Sequence, residues 1–503
     1  MSPVQIPPTP PNGLNGHVQP LTAPVSSINS LSFSTRALHI GSEPSLSASN
    51  GVVPELSLST TYQQSKVGQH RGYEYSRSDN PTRRALERQL ASLEGNADRL
   101  LEENLVAEGL NEGWEAGSAA VAFASGSAAT ATVISGLASR GGHIVSVGDV
   151  YGGTSRYMLK VAQELQGTTT SFVDLSYQLD QARQVLKGET EEQKREQDER
   201  DDEELSERLE GAIREDTKVI WVETPTNPML SLVPIALIAR VAKKHGIPLV
   251  VDNTFSNPYY QNPLTLGASV VVHSATKYLG GHSDVLGGVI VTPIPSLLSR
   301  FRFLQNANGN VPSPFDCWLL IRSLKTLTIR SREHGLNALR VARWLQEVGV
   351  PAGLVRDVRY PGLKRAIESK GERRERELAW EQLSAEAKKW IVKQGFSAES
   401  EGGFPSGGMV SFHILSEEEG SQTNSAAAER FLEGLELFAL AESLGGVESL
   451  AELPLKMTHG GVAPERRAQL GINGELIRLS VGIEDGDDLV ADVERSLRAA
   501  IEL

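Results

Sequence analysis

The sequence predicts an α/β protein: a mostly parallel sheet layered with helices, followed by a smaller α+β region. Three observations predict it. From about Ser34 to Ile290, short β-branched runs alternate with helical patterns, as strand–helix units do. Polar clusters end the runs (Gly148-Asp149, Glu223-Thr224, Asp252-Asn253), and ligands of such sheets gather at the carboxyl ends of strands. The chain has 503 residues, more than one core serves, so two domains are expected.

Residues 1–30 are rich in Pro, Ser, Asn and Gly. They cannot bury a core, and a disordered tail is expected through residue 33. The strands that follow include Ile144-Val-Ser-Val147, Val219-Ile-Trp-Val222, Pro248-Leu-Val-Val251 and Ala268-Ser-Val-Val-Val272. Three segments look inserted: 102–117, acidic and Gly-containing; 187–210, mostly charged; and 370–403, charged and then Gly/Ser-containing. Solvated helices or disordered loops are the expectation for them, ahead of interaction arms. The large domain is placed at 91–296. The second region, 297–503, ends with Leu476-Ile-Arg-Leu-Ser-Val481 and an acidic helix.

Composition excludes several classes of function. A net charge of −14 argues against nucleic acid or an anionic membrane as main partner. The single cysteine, Cys317, excludes a disulfide framework and a Cys-based zinc site, and no metal is expected. No apolar run approaches the roughly 20 residues of a membrane span. The start, Met1-Ser-Pro-Val-Gln-Ile-Pro-Pro, resembles neither a secretory signal nor a transit peptide. Cytoplasm is the expected compartment.

The chemistry centres on Val271-Val-His-Ser-Ala-Thr-Lys-Tyr-Leu-Gly-Gly-His-Ser-Asp284. Lys277 follows a buried strand, with Ser274 and Thr276 just before it able to bind an anion. A pyridoxal phosphate Schiff base requires that arrangement, though an exposed loop lysine would read the same way on this segment alone. Gly126-Ser127 opens a helix after a small-residue turn, where free N–H groups favour phosphate; an ordinary cap has the same residues. Asp252 follows Leu249-Val-Val251 and could keep a pyridine nitrogen protonated, or simply cap a turn. Tyr151 could stack on an aromatic cofactor and relay a proton, or be a turn tyrosine. Arg478 lies in an apolar strand, where an unpaired charge is costly. A substrate carboxylate or a core acid would resolve that cost equally well. Cys317 reads as a small core residue, and His282 as a loop hydrogen-bonder. Taken together, the five strand-end features supply every part of a pyridoxal phosphate site.

Tyr73-Glu-Tyr-Ser-Arg-Ser-Asp-Asn-Pro-Thr82, Asp149-Val-Tyr-Gly-Gly-Thr154, Glu223-Thr-Pro-Thr-Asn-Pro228, Val251-Asp-Asn-Thr-Phe255, Ser274-Ala-Thr-Lys-Tyr278 and Gly281-His-Ser-Asp284 resemble the Cys/Met metabolism family of fold-type I pyridoxal phosphate enzymes. The resemblance runs from about Thr35 to Leu503, broken by the three insertions. It implies an aminotransferase-like fold with a seven-stranded large-domain sheet. Lys277 would carry the cofactor, Asp252 would meet its ring nitrogen and Tyr151 would stack on the ring. Gly126, Ser127, Ser274 and Thr276 would hold the phosphate. Residues 34–90 would form an arm whose Tyr75 and Arg77 complete the neighbouring subunit's site, which implies a homotetramer. Asn227, Ser443 and Arg478 would hold the substrate carboxylate and a cofactor oxygen.

Within the family, the segments 304–317, 440–454 and 457–459 resemble the γ-lyase branch. Methionine γ-lyases usually carry cysteine at the Gly153 position and an apolar residue at Glu442; bacterial-type cystathionine β-lyases carry tyrosine at Glu442. Glu442 therefore implies a γ-lyase or γ-synthase and a contact to the distal amino group of cystathionine, with Arg156 helping at that end. The implied reaction is γ-elimination of L-cystathionine to L-cysteine, 2-oxobutyrate and ammonia, part of cysteine biosynthesis, and it allows hydrogen sulfide release as a side activity. The alternative is the synthase reaction, joining cysteine to an activated homoserine. Asp79 departs from the family's glycine.

Overall fold

The four apolar runs named above become neighbouring strands of one sheet. The computed structural model describes residues 31–47, 49–108, 118–138, 141–177, 190–415 and 424–501. Of the expected disordered tail, 1–30 lies outside the described residues, as do 109–117 and 187–189 of the first two insertions, while its last residue, Phe33, opens the helix Phe33–His39 and is buried. The large sheet comprises β1 (Ala120–Phe123), β2 (His143–Val147), β3 (Thr169–Val173), β4 (Thr217–Glu223), β5 (Leu249–Asp252), β6 (Val270–Ser274) and β7 (Gly288–Val291). Their order is β1-β7-β6-β5-β4-β2-β3. β2 through β6 pair in parallel, and β7 runs antiparallel to β6 and β1. The expected mostly parallel seven-stranded sheet is what forms. Helices cover both faces, so β1 and β2 are buried along their whole length. That is why they read as apolar runs, broken only by His143 and Ser146 of β2.

A second sheet lies in the carboxyl-terminal region: β8 (Val355–Arg359), β9 (Met409–Ile414), β10 (Ala439–Leu440), β11 (Leu450–Glu452) and β12 (Leu476–Ser480). Its order is β10-β11-β12-β9-β8, antiparallel except for β10 with β11. The helices Leu327–Trp344, Ala426–Gly434 and Gly486–Ile501 pack on it around Phe412, Phe431, Leu479 and Val493. Cys317 is buried in the large core, and His282 Nδ1 meets the Gly280 carbonyl at 2.8 Å.

The third insertion departs from the solvated reading. Lys370–Glu381 and Ala385–Lys393 are helices that bury Leu378, Ala387 and Ile391 in the large core, together with Leu383 in the link between them. Their backbone links are equally internal: Ser384 N–H donates to the Tyr260 carbonyl at 2.6 Å, and Ile235 N–H to Gln382 Oε1 at 2.8 Å. The charges that suggested a solvated face are paired. Arg373 holds Asp198 at 2.5 Å and Glu377 at 2.6 Å, and Arg376 holds Glu368 at 2.9 Å. Asp198 belongs to the second insertion, whose described part lies in the helix Glu191–Ala212 with Leu205 and Leu209 buried. Two insertions far apart in sequence thus dock on each other, and pairing removes most of the cost of burying their charges. The first insertion continues the helix Ala97–Glu108, where Leu101 and Leu105 are buried.

Candidate active site

The carboxyl ends of β4, β5 and β6 lie side by side, and Glu223, Asp252 and Val272 are register partners across them. Asp252 and Ser274 are the only partly uncovered members of their strands. An opening therefore sits at this edge of an otherwise buried sheet. Lys277 follows β6 directly. Its ammonium Nζ donates to Ser443 Oγ at 2.7 Å. Burial first, and then the Arg478 charge, lower the Lys277 amine to about 8, against a smaller opposing pull from Glu452 and Glu442. Burial also raises Asp252, opposed by hydrogen bonds from Thr254.

The small-residue turn after β1 does what its composition predicts. Ser125 caps the helix Gly126–Leu137 by accepting from Ala128 N–H. The first-turn N–H groups of Gly126 and Ser127 have no intrahelical acceptor. Gly126 must lack a side chain: a Cβ there would sit 2.9 Å from Ser274 Cβ. The helix end is thereby pressed against the Ser274 and Thr276 hydroxyl segment. Thr276 Oγ1 also accepts from Gly287 N–H at 3.1 Å.

Tyr151 precedes the short helix Gly152–Arg156, and its ring is exposed. A Cβ on Gly153 would lie 2.4 Å from Tyr151 Cε1, so the residue at 153 decides where that ring can rest. Arg478, on β12, is buried and forks to three groups. Nη1 meets Asn227 Oδ1 at 2.9 Å and Glu452 Oε1 at 2.9 Å, and Nη2 donates to the Ser443 carbonyl at 2.9 Å. Of the two readings of Arg478, the core acid is present: Glu452, on the register partner strand. Burial nevertheless lowers Arg478 and raises Glu452. Arg478 Nε and Glu452 Oε2 are buried without a hydrogen-bond partner among the described residues. Ser443 has φ of 107°, a conformation that favours glycine.

The structure thus links Lys277, Ser443, Arg478 and Asn227 by direct hydrogen bonds, and sets Asp252, Gly126 and Ser274 along the same sheet edge. Glu442, next to Ser443, and Arg156 are exposed. Tyr75 and Arg77 stand apart: both are exposed, and Arg77 donates to the carbonyl and side chain of Asn306 at 2.9 Å. Neither forms a hydrogen bond with another candidate residue among those described. Asp79 pairs with Arg84 on the same arm. The sequence reading gives no role to two buried acids, Glu223 and Glu452; Glu223 enters it only as a polar strand end.

The family model for Cys/Met metabolism PLP-dependent enzymes matches residues 34–103, 99–192, 192–391 and 392–498. The chain belongs to the Cys/Met metabolism PLP-dependent enzyme family. A cystathionine gamma-lyase of Sus scrofa is 44% identical over 93% of this chain and 94% of its own length. Among solved structures, cystathionine gamma-lyase from yeast has a TM-score of 0.72 and 39% identity, covering 94% of this chain and 98% of that one. The metB structure from Corynebacterium glutamicum has a TM-score of 0.73 and 36% identity, covering 94% and 100%. This family member accordingly takes pyridoxal phosphate. The donor set fits the cofactor: helix N–H groups and hydroxyls for a phosphate, a carboxylate for a ring nitrogen, an amine of lowered basicity for the aldehyde. The described residues hold no cluster of metal-ligating side chains, and no described helix is long and apolar enough to cross a membrane.

Proposed function

We propose that this enzyme cleaves the γ-carbon–sulfur bond of L-cystathionine, which with water yields L-cysteine, 2-oxobutyrate and ammonia. Glu442 beside the Lys277–Ser443–Arg478 cluster carries the reading, supported by relatives of 44% identity that are cystathionine gamma-lyases. An acid at the open end of the cluster suits a substrate with a second, distal ammonium group. Arg156 assists there through the distal carboxylate.

The bound cofactor supplies an electron sink that makes the protons on Cα and Cβ of the substrate removable. Everything else falls to the chain. Lys277 would hold the cofactor and, as a free amine, would act as the base. With the amine lowered to about 8, a useful fraction is then neutral and takes the Cα proton. Ser443 keeps that amine in place, and Asp252 would favour a proton on the ring nitrogen. Arg478, with Asn227, orients the substrate carboxylate through its planar fork. Tyr151 would stack on the ring, and Tyr151 or Lys277 would deliver a proton to the departing sulfur. Gly126, Ser127, Ser274 and Thr276 grip the phosphate. Tyr75 and Arg77, on the 34–90 arm, serve the site of a neighbouring subunit in a homotetramer. The cytoplasm suits a chain whose one cysteine forms no disulfide.

Purified holoenzyme given cystathionine should release 2-oxobutyrate, measured beside methionine, homocysteine and O-acetylhomoserine plus cysteine. Release of 2-oxobutyrate from methionine alone, or synthesis of cystathionine without its cleavage, would overturn the assignment.

A further inference from the structure

Glu223 ends β4 beside Asp252, its register partner on β5, and is 5% exposed. Its carboxyl group is committed to the turn that carries Tyr151. Oε2 accepts from Tyr151 N–H at 2.7 Å, and the Trp221 indole reaches Oε1 at 3.4 Å. The start of the Gly152–Arg156 turn therefore hangs from one side chain. The Tyr151 ring itself is exposed, and Tyr151 makes no side-chain cap to its helix. Its direction is set from the backbone, by Glu223 on one side and by the space over Gly153 on the other.

We propose that Glu223 is a positioning residue: a buried carboxyl group that fastens the Tyr151 turn to the sheet beside Asp252 and so holds the Tyr151 ring over the cofactor. The proposal rests on the reading that Tyr151 stacks on pyridoxal phosphate in this cleft. Burial, and then the neighbouring Asp252 charge, push the Glu223 carboxyl well above the usual carboxylate range. An amide of the same shape keeps the acceptor for Tyr151 N–H.

The test titrates apoenzyme with pyridoxal phosphate and follows the visible absorption and circular dichroism of the bound cofactor, with melting temperatures recorded alongside. Glu223→Gln should bind like the parent and give the same dichroism. Glu223→Ala loses a buried hydrogen-bond acceptor and should bind about tenfold more weakly with a reduced dichroic band. Because the effect runs through Tyr151, Glu223→Ala should add nothing to the loss already caused by Tyr151→Ala. Additive losses, an Ala variant equal to the parent, or a Gln variant with weakened binding would each overturn the proposal. If the Ala variant fails to fold, the Gln variant decides alone. No substrate enters the assay, so a failure to cleave cystathionine would sink the proposed reaction and leave this result standing.

Discussion

Lys277 Nζ and Ser443 Oγ lie 2.7 Å apart although 166 residues separate them. The bond joins the end of β6 in the large sheet to the segment before β11 in the small one. Ser443 holds this place in a backbone conformation with φ of 107°, whose cost is on the order of 1–3 kcal/mol for a residue with a side chain. The same residue offers its carbonyl to Arg478. One strained residue thus sets both the amine and the guanidinium.

Replacing Ser443 separates strain from hydrogen bonding. Ser443→Ala keeps the strain and loses the acceptor for Lys277, so kcat/KM should fall about tenfold. Ser443→Gly loses the same acceptor and relaxes the backbone. It should match the alanine variant in turnover while unfolding at higher denaturant, by about 1 kcal/mol. Equal stability of the two variants would show that the backbone at this position is not strained.

The lowered Lys277 amine makes a pH prediction. Its value is about 8 against an ordinary 10.5, so at pH 7 roughly 300-fold more of it is neutral than for a free lysine. Only the neutral amine attacks an aldehyde. The rate at which apoenzyme captures pyridoxal phosphate should therefore rise from pH 6 through 8 and level off above about 9. Stopped-flow absorbance would follow it. A rate still climbing at pH 10 would mean that the amine is unperturbed.

Glu452 tests the buried arginine. Glu452 and Arg478 have 1% and 2% of their side chains exposed, so removing one leaves the other charged and enclosed. Glu452→Gln should destabilise the apoenzyme by about 3 kcal/mol in urea unfolding. A bound substrate carboxylate would restore part of the missing charge, so a substrate analogue should raise the melting temperature of Glu452→Gln more than that of the parent. Equal shifts would argue that Arg478 does not face the substrate.

Much of this site was legible because strand ends announce themselves. Apolar runs that stop at Asp252, at Ser274 before Lys277, and at Asp149 before Tyr151 place polar groups on one edge of a parallel sheet, and the fold then makes them neighbours. Glu223 and Glu452 were passed over for a physical reason: each faces a partner distant in sequence, Tyr151 or Arg478, which no local pattern reveals. The third insertion misled because Arg373, Arg374 and Arg376 outweigh Leu378 in any local average of polarity. Only Asp198 and Glu368, outside the window, show why arginines can be buried there.

That insertion supplies the last prediction. If Lys370–Glu381 were a solvated helix, trimming it would cost little. Leu378 lies in the large core at 3% exposure, so Leu378→Ala should cost about 2–5 kcal/mol in urea unfolding. Arg373 is 9% exposed and Asp198 is 24% exposed, so water reaches one side of that pair. Arg373→Ala should cost less, roughly 1–3 kcal/mol. The decisive measurement is the double variant. If Arg373 and Asp198 act as one contact between two insertions, removing both should cost clearly less than the sum of the single losses. Strict additivity would mean that the two insertions fold independently and merely touch.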